Sequence, residues 1–288
     1  MPQHAIGGWR IAASHSDSPC WKIKADMPEN EGCRRLSVEG YGGMIMASWL
    51  DRPLTVGGRV LVKTQDGVQS RLVYIDRDLL VIPSLAIHFQ RDVNKGKVFN
   101  PQIDMQPLWG PAGSRTLTDL ICEELGITAE DILDWDLQLV TRQAPVQIGP
   151  DNEYFMAPRI DDLECAATTL LAFLEASGEA DSACAPVWAM FDNEEVGSSS
   201  RMGAESSFLR DVLDRILDAV PHSGQLPRAR WRTALCSAPT TPTPPTRTSR
   251  RRPTPAPQCG WRRCRAEVQR QPEVHDQRRE RCGFPRCV

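Results

Sequence analysis

The 288-residue chain lacks several features that mark particular classes of protein. It contains no apolar run long enough to cross a bilayer and does not open with a signal peptide, so we expect a cytoplasmic protein with no membrane partner. Its formal net charge of -3 gives no indication of a nucleic-acid partner. The cysteines before residue 238 have no regular spacing, which favours reduced side chains. Those that we expect to be buried are Cys20, Cys33, Cys122, Cys165 and Cys184.

The last part of the chain, residues 238–288, has no Leu, Ile, Met or Lys. It contains 12 Arg, 9 Pro and 4 Cys but only 4 acidic residues, so it carries a charge of +8 and the rest of the chain carries -11. A segment so poor in aliphatic side chains cannot bury enough apolar surface to offset its ordering entropy. We therefore expect this tail to be disordered.

Residues 36–105 are rich in strand signals. Short β-branched runs at 60–62 and 72–75 are accompanied by turn signals at Gly57-Gly58 and Asp66-Gly67. This pattern predicts a compact antiparallel β-domain.

Helical patterns appear on the carboxyl side of that region. Thr118 can cap a short helix that Gly126 ends, and apolar residues recur at helical spacing over 157–174. Residues 187–191 form a continuous apolar run, which is typical of a strand buried on both faces, and 206–220 is an amphipathic helix. Further strands are expected at 9–13 and 131–140.

Strands that alternate with helices predict an α/β protein. We expect a three-layer α/β/α core with an inserted antiparallel β-domain and a disordered carboxyl-terminal tail. The core begins in residues 1–35 and continues in 111–237, the β-domain occupies 36–110 for assembly or substrate contacts, and the tail is 238–288.

Two acidic segments have residue types that suit metal binding. His15 and Asp17 are two residues apart at a strand end and point to the same side, so the imidazole can bind a metal while the carboxylate orients it. Asp161, directly before the helical pattern, could bridge two cations. The alternatives are a solvated loop at 15–17 and an ordinary acidic helix cap at 161.

Two further segments carry candidate catalytic groups. Glu194 and Glu195 follow a buried strand, where one can bind a metal and the other can act as a general base, although a surface charge pair is the alternative. His88 lies in an apolar stretch of the β-domain, where the residues alone favour a structural histidine.

Taken together and in this order, the segments resemble the aspartyl-aminopeptidase family of dinuclear zinc metallo-aminopeptidases. The resemblance extends over most of the chain before residue 238. The matching motifs are His-Ser-Asp-Ser-Pro at 15–19, Gly-Tyr-Gly-Gly at 40–43, Trp-Leu-Asp-Arg-Pro-Leu at 49–54, Ile-Pro-Ser-Leu-Ala-Ile-His at 82–88, Arg-Ile-Asp-Asp-Leu at 159–163 and Asp-Asn-Glu-Glu-Val-Gly-Ser at 192–198.

The resemblance implies a role for each site residue. His15 and Glu195 would be zinc ligands, and Asp161 would bridge the two zinc ions of the subunit. Asp17 would orient the site, and Glu194 would be the general base that activates water toward the first peptide bond.

The resemblance also implies partners. The substrate would be a peptide with a free amino terminus, often with an acidic first residue. His88 would reach the active site of a neighbouring subunit and help to hold the substrate carbonyl, which implies a homo-oligomer, in the family often a tetrahedral dodecamer.

The chain departs from the family pattern at its ends. The family has sequence before the strand at 9–13, and it has two more metal ligands after the Glu-Glu motif, in an Asp-x-Ala-His-Ala-x-His-Pro-Asn segment and near the carboxyl end. Here Pro239 to Pro245 and a mismatched His275 occupy that region, and Asp162 stands where Asn is usual. We therefore expect an N-terminally truncated chain with a frameshift near codon 238, which would make it inactive and prone to aggregate.

Two other interpretations remain open. The pattern Cys-x4-Cys-x17-Cys-x4-Cys in the basic tail is compatible with a zinc-stapled nucleic-acid-binding module. Its cysteines are Cys259, Cys264, Cys282 and Cys287. The chain could also be a non-catalytic relative that keeps the β-domain for assembly, although the intact Glu194-Glu195 pair argues against this.

Overall fold

A computed structural model describes residues 8–25, 29–30, 32–177, 184–219 and 230–232. The predictions for the tail, including disorder and the four-cysteine module, lie outside these residues. The strands are β1 (Gly8–His15), β2 (Cys20–Ala25), β3 (Glu29–Asn30), β4 (Cys33–Arg35), β5 (Ser37–Tyr41), β6 (Leu54–Thr64), β7 (Gly67–Tyr74), β8 (Leu108–Pro111), β9 (Ile132–Thr141), β10 (Val146–Ile148), β11 (Tyr154–Met156), β12 (Cys184–Phe191) and β13 (Arg230–Arg232). The α-helices are α1 (Pro101–Asp104), α2 (Leu117–Leu125), α3 (Ile160–Ser177) and α4 (Phe208–Ala219).

The chain divides into two compact units. The first, here called the β-sheet unit, consists of His15–Leu163 and Phe191–Leu209. The second, here called the α/β unit, consists of the described residues within 1–14, 164–190 and 210–288.

The β-sheet unit is built on a five-stranded sheet in the order β5-β2-β9-β6-β7. All of its pairings are antiparallel, and β6 pairs along most of its length with both β9 and β7. Since β2 and β9 lie outside 36–110, the sheet extends past the predicted bounds of the β-domain on both sides. The division of the chain into a catalytic and an inserted domain stays a prediction.

The Gly57-Gly58 pair lies inside β6 and does not form the turn that we expected. A Cβ atom at Gly58 would lie 2.2 Å from the carbonyl oxygen of Asp136 in β9, and Gly58 has a φ of 151°. The glycine is therefore needed for close approach of two strands, which is a common use of glycine inside a sheet. The turn at Asp66-Gly67 is present between β6 and β7.

One face of the sheet and α2 enclose the core of the β-sheet unit. Thr116 and Asp119 form a reciprocal capping box at the start of α2, and Gly126 ends the helix in the left-handed region. The predicted cap at Thr118 was therefore wrong by two residues, whereas the end at Gly126 is confirmed. The buried core residues are Trp21, Ile23, Leu36, Val38, Leu54, Val56, Val60, Val62, Val73, Ile75, Leu80, Ile82, Met105, Leu117, Leu120, Ile121, Leu137 and Leu139.

Two smaller sheets complete the β-sheet unit. Strands β3, β4 and β8 form a three-stranded antiparallel sheet, and β10 and β11 form an exposed hairpin. Among the cysteines expected to be buried, Cys20 is buried but Cys33, Cys122 and Cys165 are only partly buried. The burial of Cys184 lies outside the described side chains.

The α/β unit contains the sheet β12-β1-β13, in which β1 and β13 run parallel. Trp188 on β12 donates from Nε1 to the hydroxyl of Thr169 on α3, 3.1 Å away. Met190 on β12 is 45% exposed, so this strand is not buried on both faces as we expected. Parallel strands with helices here and an antiparallel sheet in the other unit agree with the predicted α/β class. Within the described ranges, every helix is too short or too polar to span a bilayer.

Candidate metal centre

Three segments far apart in sequence supply the side chains of one site in the β-sheet unit. The backbone N–H of Ser16 donates to the carbonyl of Phe191 at 2.9 Å, which places the end of β1 beside the end of β12. The Ser18 hydroxyl donates to the carbonyl of Asp161 at 3.1 Å, which adds the start of α3. Ends of neighbouring strands are the usual position for a site in an α/β protein.

His15, Asp161 and Glu195 meet at this place. One potential ligand atom from each lies within 4.8 Å of the other two. The side chain of His15 is 12% exposed, whereas that of Asp161 is 69% exposed. The site is therefore anchored in the protein on the histidine side and open on the Asp161 side.

The two ring nitrogens of His15 face different groups. Nδ1 lies 3.0 Å from the backbone carbonyl of Asp17 and 3.2 Å from its Oδ1, so both acceptors favour a hydrogen on Nδ1. In the neutral ring Nε2 then keeps its lone pair, and it lies 3.4 Å from Asp161, 3.8 Å from Glu194 and 3.9 Å from Asp162. Such an arrangement suits metal binding, in which a carboxylate fixes the tautomer and orientation of the histidine ring.

Besides its contact with His15, the Asp17 carboxylate accepts three further hydrogen bonds. Its two carboxylate oxygens accept the backbone N–H groups of Glu194 and Glu195, each at 3.1 Å, and its Oδ2 accepts the Tyr41 hydroxyl at 2.7 Å. The two N–H groups belong to the 3-10 turn Glu194–Val196, where free backbone donors favour a carboxylate. The predicted orienting role of Asp17 thus has a geometric basis that reaches both the histidine and the glutamate pair.

Asp161 and Asp162 occupy non-helical backbone at the start of α3, and the peptide bond between them is cis. Asp162 is 1% exposed, and its Oδ2 accepts the backbone N–H of His15 at 3.1 Å. The residue that differs from the usual family pattern is therefore a buried acceptor that fixes the His15 backbone. Asp161 instead points outward, as an accessible ligand must.

The loop after β12 is shaped by Asn193. This residue is left-handed at φ 64°, a region that asparagine tolerates better than most side chains. Its Nδ2 donates to the Tyr41 hydroxyl at 2.8 Å, and its Oδ1 accepts the Ser200 hydroxyl at 2.7 Å. Because Asn193 comes directly before Glu194, these contacts fix the point at which the glutamate pair begins.

The charges around the site shift the pKa values of two members in opposite directions. Burial alone would lower the pKa of His15, but the negative charges of Asp162, Glu194 and Asp17 outweigh it and raise this pKa. Burial would raise the pKa of Asp17, but the hydrogen bonds from Tyr41 and from the following backbone N–H groups outweigh it, so the pKa of Asp17 is lowered. Asp17 is therefore a stable anion at neutral pH.

Burial, followed by the negative charge of Asp161, raises the pKa of Glu195. Burial and hydrogen-bond donation to Asp17 raise the pKa of Tyr41, so its hydroxyl stays protonated as a donor. The charge of His15 lowers the pKa of Glu195, but it does not offset the burial and the neighbouring carboxylates. A bound cation would remove that penalty.

The donor set fits zinc. Imidazole nitrogen and carboxylate oxygen both bind Zn²⁺ at about 2.0–2.2 Å, and the spacing of His15, Asp161 and Glu195 allows a shared cation between them. In the part of the chain that the structure describes, this is the one group of three such donors.

His88 is not part of this group. It is exposed, and its neighbours Leu85, Ile87 and Phe89 are 55%, 49% and 79% exposed. The apolar stretch alone favoured a structural histidine, whereas in the structure both His88 and this stretch are exposed. Its role at a neighbouring subunit stays a prediction.

Sequence reasoning assigned no role to Tyr41, Asn193 or Ser200. Tyr41 and Asn193 both lie in motifs that carry the family resemblance, so the signal that could have singled them out was present. The hydrogen bond between Tyr41 and Asn193, however, joins segments that are 152 residues apart, which local patterns do not reveal.

Comparison with known proteins identifies relatives of the chain. The family profile described as aminopeptidase I zinc metalloprotease (M18) matches residues 3–242. The probable M18 family aminopeptidase 2 of Clostridium acetobutylicum is 39% identical over 219 residues, which are 73% of this chain and 50% of the relative. The chain thus spans about half the length of the curated relatives that it matches.

Solved structures give the same assignment. Chaetomium thermophilum mApe1 has a TM-score of 0.67 and 32% identity, over 76% of this chain and 55% of that one. The S. cerevisiae mApe1 dodecamer has a TM-score of 0.64 and 25% identity, over 77% of this chain and 52% of that one. These matches confirm both the fold class and the family resemblance. The chain belongs to the M18 family of aminopeptidase I zinc metalloproteases.

Proposed function

We propose that the chain carries the zinc-binding and general-base groups of an aminopeptidase that removes acidic residues from the amino termini of peptides. The observation that supports this proposal is the convergence of His15, Asp161 and Glu195 with Glu194 beside them. The preference for acidic residues rests on the resemblance to aspartyl aminopeptidases.

Each residue has a task that its position suits. His15 and Glu195 would hold the metal as ligands, and the exposed Asp161 carboxylate would be shared between two ions. Zinc held there would supply Lewis-acid stabilisation of the charge that develops on the scissile carbonyl. Glu194, whose side chain is 54% exposed and lies 3.8 Å from His15 Nε2, accepts a proton from the attacking water and returns it to the leaving amine.

We also propose that the working form is a homo-oligomer. An M18 relative from yeast is a dodecamer, and the segment around His88 presents apolar side chains to solvent. Contiguous exposed apolar residues mark interaction surfaces. In this assembly His88 contacts the substrate carbonyl at a neighbouring subunit.

We infer that the 288-residue chain by itself has low activity. Two zinc ions need more donors than the three that converge among the described residues, because each zinc site takes three or four protein ligands. Affinity for the second ion is therefore weak.

Zinc competition against a chromogenic chelator tests the site. The purified chain is expected to bind zinc, and His15→Ala is expected to weaken binding by at least tenfold because a ligand is lost. Glu130→Gln, which changes an exposed glutamate far from the site in sequence, is the matched control and should bind as the wild type does. Equal zinc affinity in His15→Ala and the wild type would refute the ligand assignment.

Turnover of aspartyl, glutamyl and leucyl p-nitroanilides tests the chemistry. Release from the acidic substrates is expected to be slow but zinc-dependent, and Glu194→Gln should reduce it by about 10²–10⁴-fold while zinc affinity changes little. Rapid turnover by the wild type would contradict the inferred low activity. Undiminished turnover by Glu194→Gln would remove Glu194 as the base.

Sedimentation of the purified chain tests the assembly. If the segment around His88 is an interface, Phe89→Ser should shift the chain toward smaller species. Val68→Ser, which replaces another exposed apolar side chain on β7, is the control. A monomeric wild type would rule out assembly by this chain.

A further inference from the structure

The Gly40-Tyr41-Gly42-Gly43 motif has no task in the proposed chemistry, yet two of its residues reach the candidate metal centre. Tyr41 is the last residue of β5, and its hydroxyl contacts both Asp17 and Asn193. Gly42 lies against Glu195. We propose that Tyr41 and Gly42 are positioning residues that set the geometry of the metal ligands from the edge of the five-stranded sheet. This inference rests on the proposed function.

The hydrogen bonds around Tyr41 have a defined direction. The Ser200 hydroxyl donates to Oδ1 of Asn193, which leaves Nδ2 of Asn193 to donate to the tyrosine oxygen. The tyrosine hydrogen is then free to point to Asp17, an acceptor that is ionised. The three hydrogen bonds that link Ser200, Asn193, Tyr41 and Asp17 therefore all donate in the same direction, toward the Asp17 carboxylate.

The tyrosine ring is held as well as its hydroxyl. The ammonium group of Lys22 on β2 lies 4.9 Å from the ring centroid, within the range of a cation–π contact. Strand β2 pairs directly with β5, with Cys20 opposite Tyr41. The hydroxyl is thus delivered to Asp17 from a fixed strand and not from a loop.

Asp17 transmits this position to the ligands. It fixes Nδ1 of His15 and the backbone N–H groups of Glu194 and Glu195, so a shift of its carboxylate would move all three. Partners that orient metal ligands commonly change metal affinity by about 10–100-fold when they are removed. Tyr41 makes the shortest hydrogen bond to this carboxylate, at 2.7 Å, and is therefore the contact whose loss should matter most.

Gly42 contributes by having no side chain, which leaves room for Glu195. A Cβ atom at this position would lie 2.9 Å from Cβ of Glu195 and 3.5 Å from Cα of Pro19, and the residue has a φ of 74°. Any side chain here would push Glu195 away from its place. Glycine is therefore required both by the backbone conformation and by the approach of a ligand.

Hydrogen–deuterium exchange of the metal-free chain tests the role of Tyr41 without reference to zinc. Tyr41→Phe removes only the hydroxyl. The Asp17 carboxylate is then less well fixed as the acceptor for the N–H groups of Glu194 and Glu195, so the peptide that contains residues 193–196 is expected to exchange about tenfold faster. Tyr154→Phe, on the exposed β11 strand, is the matched control and should exchange as the wild type does. Unchanged exchange in Tyr41→Phe would overturn the inference.

Zinc affinity provides the second readout. Tyr41→Phe is expected to weaken zinc binding by about tenfold relative to the wild type and Tyr154→Phe. If the wild type binds no zinc, the proposed function fails, but the exchange result still decides whether Tyr41 positions Asp17. Faster exchange together with unchanged zinc affinity would also overturn the inference, because the hydroxyl would then order the loop without affecting the ligands.

Gly42→Ala separates the clash from backbone strain. Gly113 has a similar φ of 77°, but a Cβ atom there would meet nothing within 4 Å, so Gly113→Ala carries the strain alone. Gly42→Ala is expected to accelerate exchange over 193–196 and to weaken zinc binding, whereas Gly113→Ala should change neither. Equal effects of the two substitutions would show that the contact with Glu195 has no special role.

Discussion

The β-sheet unit and the α/β unit differ in how far their apolar side chains are exposed to solvent. Trp21, Leu54 and Leu139 in the β-sheet unit are completely buried, whereas Leu171 and Leu174 on α3 are 61% and 56% exposed. The periodic leucines of α3 therefore lie largely in solvent among the described residues, although their spacing is that of a core-facing helix. A regular apolar pattern shows which face a helix can bury, but not what covers it.

Truncation of one leucine in each unit gives the largest expected contrast. Leu139→Ala should lower the free energy of unfolding by about 2–5 kcal/mol because it leaves a cavity in a closed core. Leu171→Ala should change it by less than about 0.5 kcal/mol because the side chain is already in water. Urea unfolding followed by circular dichroism measures both. Comparable losses would mean that α3 is covered in solution and would break the comparison.

Close approach of strands should be the next most sensitive feature. Gly58→Ala is expected to cost about 2 kcal/mol or more, because the new methyl group meets the β9 backbone. Gly96→Ala also has a positive φ, at 103°, but has open space around it, so it should cost about 1 kcal/mol. Thermal unfolding of the two variants separates contact from strain. Similar midpoints would mean that β6 and β9 can separate enough at Gly58 to accommodate a methyl group.

Helix capping offers a smaller effect. Thr116→Ala should cost about 1 kcal/mol because it removes the side-chain acceptor for the Asp119 N–H. Thr118→Ala lies inside α2 and should be neutral or slightly stabilising, since alanine is the better helix former. Urea unfolding of both variants decides which threonine is the cap. A larger loss for Thr118→Ala would restore the prediction made from sequence.

The smallest expected effect is a dependence on pH. The hydrogen bond from the Lys97 ammonium, followed by that from the Asn100 N–H, lowers the pKa of Asp104 below its ordinary value of 3.8. Its contribution to stability is therefore present above pH 3.8 and is lost as the pH falls through the lowered pKa. Asp104→Asn should be less stable than the wild type at pH 6, and the difference should shrink toward pH 3. A difference that grows on acidification would contradict this.

Local patterns in the sequence were sufficient for many elements. Alternation predicted β9, apolar runs predicted β1 and β12, and helical spacing predicted α3, each to within a few residues. These elements are set by period and by nearby turn residues. The order of short motifs also identified the residues that now lie together at the candidate metal centre, although their roles as ligands and base stay predictions.

Features that depend on distant partners were not predictable in this way. Gly57-Gly58 has the sequence of a turn, and only the position of β9 shows that it lies inside a strand. The contact of Asp162 with His15 and that of Tyr41 with Asn193 each join segments more than a hundred residues apart. The exposure of Leu171 was also hidden, because spacing carries no information on what lies opposite.

The three segments of the candidate metal centre have a consequence for the order of events during folding. His15 and Asp162 are 147 residues apart, and Asp17 and Glu194 are 177 residues apart. Closing such long loops lowers the conformational entropy of the chain, and this cost is incurred before the donors meet. A metal ion that needs all three donors would therefore bind only after these segments have come together, and its binding would stabilise the folded chain by mass action.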